Sequence, residues 1–192
     1  MIVSKPRLGQ TPSQTVGPFF HFGLPYEGDS NLIVGDAQGK RIIVEGKVTD
    51  GAGEPVPDVM IEIWQANAAG KYDHPEDVQD KPVDKGFHGF GRCSTDKDGN
   101  YRFQTVKPGA VPGPGNTLQA PHLVTFVFGR GMLKQLLTRI YFEDESHNAN
   151  DPVLGLVPNA RRATLIARAT NPSAYKLDIV LQGDRETVFF EY

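Results

Sequence analysis

Val59–Met60–Ile61–Glu62–Ile63–Trp64 decides the fold class. Val59, Ile61 and Ile63 alternate with Met60, Glu62 and Trp64, a period of two. Successive side chains on a strand point to opposite faces, so this pattern predicts a strand with one face in a core. Upstream, Ile42 to Val48 is rich in β-branched residues, and Thr49–Asp50–Gly51–Ala52–Gly53 supplies turn chemistry. Downstream, Asn67 to Gly91 is polar and irregular, and Thr95–Asp96–Lys97–Asp98–Gly99 is a second turn. Tyr101, Phe103 and Thr105 alternate with Arg102, Gln104 and Val106. A Gly/Pro loop follows from Pro108 to Gly115. Strands are predicted at His122 to Phe128 and Leu136 to Phe142. Asn159 can cap a helix over about Ala160 to Arg168. Tyr175, Leu177, Ile179 and Leu181 alternate again, and Thr187 to Phe190 closes the chain as a strand. Strands between turn clusters predict an all-β chain, a β-sandwich of two mixed sheets with one short helix in its C-terminal half.

Residues 1–40 read differently. Pro6, Pro12, Pro18 and Pro25 accompany Phe19, Phe20 and Phe22 with little periodicity. So many aromatics predict a non-regular arm that docks on its own domain or on a partner, leaving 41–192 as the sandwich domain.

The 192 residues carry a net charge of −3 and 39% hydrophobic residues, enough for one domain with a core. The charge leaves no basic footprint for nucleic acid or an anionic membrane. No apolar run reaches bilayer length, and Met1 to Gln10 lacks a signal-peptide core, so a cytoplasmic location is expected. Cys93 is the single cysteine, which excludes an intrachain disulfide and a cysteine-based metal site.

Candidate chemistry is sparse when residues are taken singly. Asp96–Lys97–Asp98–Gly99–Asn100 resembles the start of a calcium loop, but its glycine comes two positions early and no acid closes it; a hairpin turn suffices. His21, His74, His88, His122 and His147 contain no pair at metal-binding spacing. No nucleophile elbow, phosphate loop or dinucleotide fingerprint is present.

Longer motifs are more specific. Val56–Pro57–Asp58–Val59 through Trp64–Gln65–Ala66–Asn67, with Gly70 and Tyr72, resembles the intradiol ring-cleavage dioxygenases. So do Gly89–Phe90–Gly91–Arg92, the run from Gly99–Asn100–Tyr101 to Lys107–Pro108–Gly109, and Leu137–Thr138–Arg139–Ile140–Tyr141–Phe142. Thr11–Pro12–Ser13–Gln14–Thr15–Val16–Gly17–Pro18–Phe19 is similar to the opening of the branch that cleaves protocatechuate. The resemblance implies ferric iron held by two tyrosines and two histidines, a donor set that suits a hard ion. It also implies a transthyretin-like sandwich and O₂-dependent opening of the ring between its hydroxyl-bearing carbons.

Carried over position by position, the ligand set is incomplete. Tyr72 matches the first tyrosine. The second stands in Lys-Pro-Gly-Pro-Tyr-Pro, which reads Lys107–Pro108–Gly109–Ala110–Val111–Pro112 here. The His-x-His pair reads His122–Leu123–Val124. Valine offers no donor at 111 or 124, so Tyr72 and His122 are relics. The branch pairs an α chain with a homologous β chain. The resemblance therefore implies that the β subunit binds the Fe(III) and this α-type chain completes the pocket. Thr15, Gly17, Pro18 and Phe19 match the pocket-lining arm. Arg130 matches an arginine near the substrate carboxylate, which a guanidinium can orient. Two rival expectations remain open: a sandwich module that holds a small aromatic without chemistry, and an iron site rebuilt from His74, His88 or His21.

Overall fold

The computed structural model describes residues 9–191, so the first eight residues of the arm lie outside it. In chain order the strands are β1 (Arg41–Thr49), β2 (Met60–Trp64), β3 (Phe90–Ser94), β4 (Asn100–Val106), β5 (Val111–Pro112) and β6 (Leu118–Gln119). There follow β7 (His122–Phe128), β8 (Leu136–Phe142), β9 (Ile166–Asn171), β10 (Ala174–Lys176) and β11 (Ile179–Val180). One ladder joins β1 antiparallel to β4 and parallel to β10 and β11, with β9 antiparallel to β10. The other runs β3–β2–β7–β8, all antiparallel. Two parallel pairs, Tyr141↔Ile166 and Phe142↔Ala167, link β8 to β9, so hydrogen bonding follows one continuous mixed path. β5 and β6 form a separate ribbon.

Strand alternation fills the core from both ladders. Val44 and Phe103 meet Ile61, Ile63, Leu123, Val127 and Ile140, all buried in one cluster. Each such side chain contributes about 1.5–3 kcal/mol relative to exposure. Gly46 is required inside β1, because a Cβ there would lie 1.7 Å from the Leu177 carbonyl oxygen.

The arm closes a seam. Residues 29–32 lie between the free edges of β3 and β4: Arg92 N–H donates to the Asp29 carbonyl (2.9 Å) and Gln104 N–H to that of Ser30 (2.8 Å). Leu32 N–H returns a bond to the Gln104 carbonyl (2.8 Å), and the Leu32 side chain is buried. Backbone groups at both edges are thereby satisfied rather than left as pairing templates.

Two expectations need correction. Residues 160–168 do not form an α-helix. Arg162–Leu165 is a 3₁₀ turn, after which the chain extends into β9. An isolated helix that short is marginal, and the ladder bonds of Ile166 and Ala167 to β8 outweigh it. The α-helical turn is instead α1 (Phe19–Gly23), inside the arm. Thr187–Phe190 is likewise no strand; it contributes one bridge, Leu137↔Phe190. Asp96 accepts from the backbone N–H groups of Asp98 and Asn100, an ordinary turn in place of a calcium loop. Among the described residues no helix is long and apolar enough to cross a membrane.

Candidate functional site

The ladder β2–β7–β8 has two faces. Ile63, Leu123 and Ile140 point into the core, so the directly paired row Trp64↔Val124↔Arg139 projects from the other face. His122 lies two residues from Val124 and opposite Tyr141, on that same outer face. A cleft of about 610 Å³ opens here, with Trp64, Tyr72, His74, Val111 and Gln119 in its walls.

The irregular 67–81 loop places Tyr72. Asn67 Oδ1 accepts from the Ala69 and Lys71 N–H groups (2.9 and 3.0 Å), while its Nδ2 donates to the Pro82 carbonyl (3.0 Å). Gly70 adopts φ +75° where a Cβ would fall 2.1 Å from the Ala110 carbonyl oxygen, so only glycine brings this loop against the β5 approach. Lys71 and Asp77 form a buried ion pair (3.2 Å), and Asp77 Oδ2 accepts from the Tyr72 N–H (2.8 Å). Burial pushes the Asp77 carboxyl up, but the N–H groups of Tyr72 and Gln79 and the Lys71 ammonium outweigh it and hold its pKa at about 2. The Tyr72 ring consequently stacks on Trp64, centroids 5.9 Å apart and planes 12° off parallel.

Both relic donors are neutral at pH 7. Burial raises the Tyr72 phenol, with the Arg139 charge opposing. Burial, then Arg139, lowers the His122 pKa to about 4. His122 Nδ1 sits 2.7 Å from the Ala120 carbonyl oxygen, which holds it as the N–H tautomer there. Behind it, Tyr141 Oη donates to Asp151 Oδ1 (3.1 Å), and Asp151 also accepts the backbone N–H groups of Ala120, Val153 and Leu154. Arg139 Nη1 donates to Gln119 Oε1 (2.7 Å) and to Tyr141 Oη (3.3 Å).

Two of the four implied ligand positions thus line the cleft, and the other two lie on the same face of the sheet. Tyr72 and Val111 line it, and Val124 and His122 share the outer row. A phenol, an imidazole and two hydrocarbon side chains do not fit a ferric ion, which needs more oxygen or nitrogen donors. Among the described residues no group of three or more His, Cys, Asp or Glu side chains is placed to hold a metal. His74 stands exposed in the cleft wall, while His88 lines a different cleft beside Glu27 and Asp29. The side chain of His21 lies outside the described residues.

The remaining candidates gather elsewhere. Thr15 Oγ1 accepts from the Gly131 N–H (2.9 Å) and the Gly17 N–H (3.3 Å), which fastens the arm to the loop after β7. Gly17 takes φ +66°, Pro18 leads into α1, and Phe19 is 82% exposed. Arg130, two residues past the terminal pair Met60↔Phe128, forms an ion pair with Asp58. This corner and the cleft occupy opposite ends of β2, separated by roughly 13 Å of strand.

The sequence carries a family signature over most of its length. The dioxygenase family model matches residues 16–183. The chain belongs to the intradiol ring-cleavage dioxygenases. Within that family it is 42% identical to the protocatechuate 3,4-dioxygenase alpha chain of Burkholderia cepacia, over 96% of this chain and 98% of the other. It is 41% identical to the beta chain from the same organism, over 78% of this chain and 67% of that one. The dioxygenase domain of a carbohydrate-binding fusion protein from Streptomyces sp. SirexAA-E superposes with a TM-score of 0.59 at 25% identity, covering 90% of this chain and 99% of that domain.

Arg139, Gln119 and Asp151 were not singled out as site residues in the sequence. The period-two pattern of Leu136–Phe142 contained a signal for Arg139: a charge inside an apolar strand, in register with Tyr141 on the face away from Ile140.

Proposed function

We propose that this chain is the α-type subunit of a protocatechuate 3,4-dioxygenase, joined to a homologous β subunit that binds the Fe(III). The reaction is protocatechuate plus O₂ giving 3-carboxy-cis,cis-muconate, with both oxygen atoms retained in the product. Iron in the partner supplies the electronic coupling between the catecholate and O₂. This chain supplies shape and charge. The loss of donors at Val111 and Val124, in a cleft whose surrounding hydrogen bonds are kept, carries the reading.

In this reading the arm of residues 1–40 has two parts. Residues 29–32 belong to this chain's own seam, and the outer part reaches the partner. Exposed Phe19, Val16, Leu24 and Tyr26 favour that role, since apolar side chains grouped on one segment mark a contact surface. Thr15, Gly17, Pro18 and Phe19 then line the partner's pocket. Arg130 attracts the carboxylate of protocatechuate. Its pairing with Asp58 is 62% exposed on the arginine side, so solvent screens it and a substrate carboxylate can compete. The two ladders are taken as the layers of a sandwich, and the assembled enzyme as cytoplasmic. Purification with and without the β partner tests the division of labour. Iron and ring cleavage should appear only with the partner; a coloured, active preparation of this chain alone would overturn it.

A further inference from the structure

We propose that residues 24–32 act as a latch: they open and close as one unit over the fork between β3 and β4 while the other strands stay paired, and Arg92 is the clasp. Pairing runs unbroken from β4 through β1, β10, β9, β8, β7 and β2 to β3, and β3 returns to β4 through the Asp96–Gly99 turn. Past that turn the two strands diverge, and the arm fills the gap. Its hold is narrow. The Arg92 N–H donates to the Asp29 carbonyl (2.9 Å). The Arg92 guanidinium spans two elements, donating from Nη1 to the Leu24 carbonyl (2.8 Å) and from Nε and Nη2 to Glu62 on β2 (2.8 and 2.6 Å). On the other side Gln104 of β4 bonds to Ser30 and Leu32, and the His88 N–H donates to the Leu32 carbonyl (2.8 Å).

Within residues 23–36 Leu32 alone is buried, so one side chain supplies the apolar part of the closure. It enters a notch at Gly91, where a Cβ would lie 2.4 Å from Leu32 Cδ1 and 3.2 Å from the Asp29 carbonyl oxygen. Segments with few buried apolar contacts open locally, well below the cost of global unfolding. Both ends of the latch are tethered. Phe20 is buried upstream, and downstream the Val34 and Gly35 N–H groups donate to the Gly86 carbonyl (2.9 and 3.1 Å). Opening therefore swings out a loop and detaches no strand. It leaves N–H and C=O groups of β3 and β4 unpaired, and such edges are templates for an added strand. Closed, the latch hides a pairing surface; open, it offers one. Neither iron nor a partner chain takes part.

Amide hydrogen exchange of the full chain in rising urea tests the latch. The N–H groups that close it, those of Leu32, His88, Arg92 and Gln104, should share one opening equilibrium. They should exchange on the order of 100-fold faster than the slowest amides of β2 and β7, with a weaker dependence on urea. Leu154→Ala empties a separate buried cluster, so it lowers the cost of global unfolding and leaves the cost of latch opening alone. It should speed the slowest β2 and β7 amides at least about tenfold and the latch amides less than about twofold. Leu32→Ala should speed the latch amides at least about tenfold. Arg92→Lys should also speed them, because one ammonium cannot span Leu24 and Glu62 as the guanidinium does. If Leu154→Ala does not fold, the urea dependence of the parent chain decides. Latch amides that exchange at the β2 and β7 rate, that scatter over unrelated rates, or that speed with Leu154→Ala as β2 and β7 do, overturn the proposal. Latch rates unchanged in both Leu32→Ala and Arg92→Lys do the same.

Discussion

At the Trp64 end of β2 a dense set of hydrogen bonds within the chain surrounds Tyr72 and His122, while at the Met60 end a stretch of the arm and Arg130 meet solvent. The first region is braced from within: Asp151 gathers four hydrogen bonds behind His122, and Asp77 ties the 67–81 loop beneath Tyr72. The second holds Thr15 against Gly131 but leaves Phe19 and the Arg130 guanidinium exposed. In the proposed function the Trp64 end is the braced scaffold, and the groups that meet another molecule sit at the far end of the same strand.

The largest effect should follow from Asp151→Ala. It leaves three backbone N–H donors and the Tyr141 hydroxyl without their acceptor in a buried setting. A loss of about 3–5 kcal/mol is expected in urea unfolding. A loss under 1 kcal/mol would show that the relic end is not the stable one.

Next comes a pH effect, also at that end. His122 is nearly fully buried and titrates at about 4 when folded, below its ordinary value of 6.5. The unfolded chain therefore binds more protons between these values, and folding stability should fall as pH drops from about 6.5 to 4. The full shift corresponds to on the order of 3 kcal/mol. Three neighbours bear on the ring: Arg139 on β8 lowers its pKa, the Ala120 carbonyl raises it, and Asp151 raises it. The Asp77 contribution is lost only below about pH 4, so the two windows are distinct. Equilibrium unfolding across pH 4–7 should show the slope in the parent chain and a flatter profile in His122→Gln.

Arg130→Ala moves to the other end. With the β chain present, KM should rise about tenfold for protocatechuate and change less than about twofold for catechol, which has no carboxylate. Equal increases for both substrates would remove the arginine from substrate selection. Phe19→Ser should be the mildest change to the chain itself, within about 0.5 kcal/mol by thermal unfolding, because the ring is exposed. Gel filtration of the co-expressed chains should nonetheless show reduced assembly. A variant that assembles normally would place the contact surface elsewhere.

Much of this was legible in linear order. Each period-two run that became a strand has a solvent-or-core logic local to a few residues: Arg41–Thr49, Met60–Trp64, Asn100–Val106, His122–Phe128 and Leu136–Phe142. The 160–168 helix was misread for the complementary reason. Its local preference is weak, and the deciding bonds come from β8, over twenty residues upstream. For the arm, the sequence leaves docking on its own domain or on a partner open, since an irregular proline-rich stretch contains no sign that residues 29–32 zip between two strand edges. Arg139 was visible only as a member of a motif. Its bonds to Gln119 and Tyr141 depend on how β6 and β8 sit in space, and no spacing rule predicts them.

Residue identity alone determined that the side chains at positions 111 and 124 cannot bind a metal, because a hydrocarbon has no lone pair in any conformation. It also determined the β character, through alternation that depends only on backbone geometry. Tertiary structure decided the rest: that Tyr72 and Val111 line a cleft on the face of the sheet that carries His122 and Val124, and that Arg130 lies at the opposite end of β2. Those relations depend on strand register and loop closure, which are set by contacts between residues far apart in the chain.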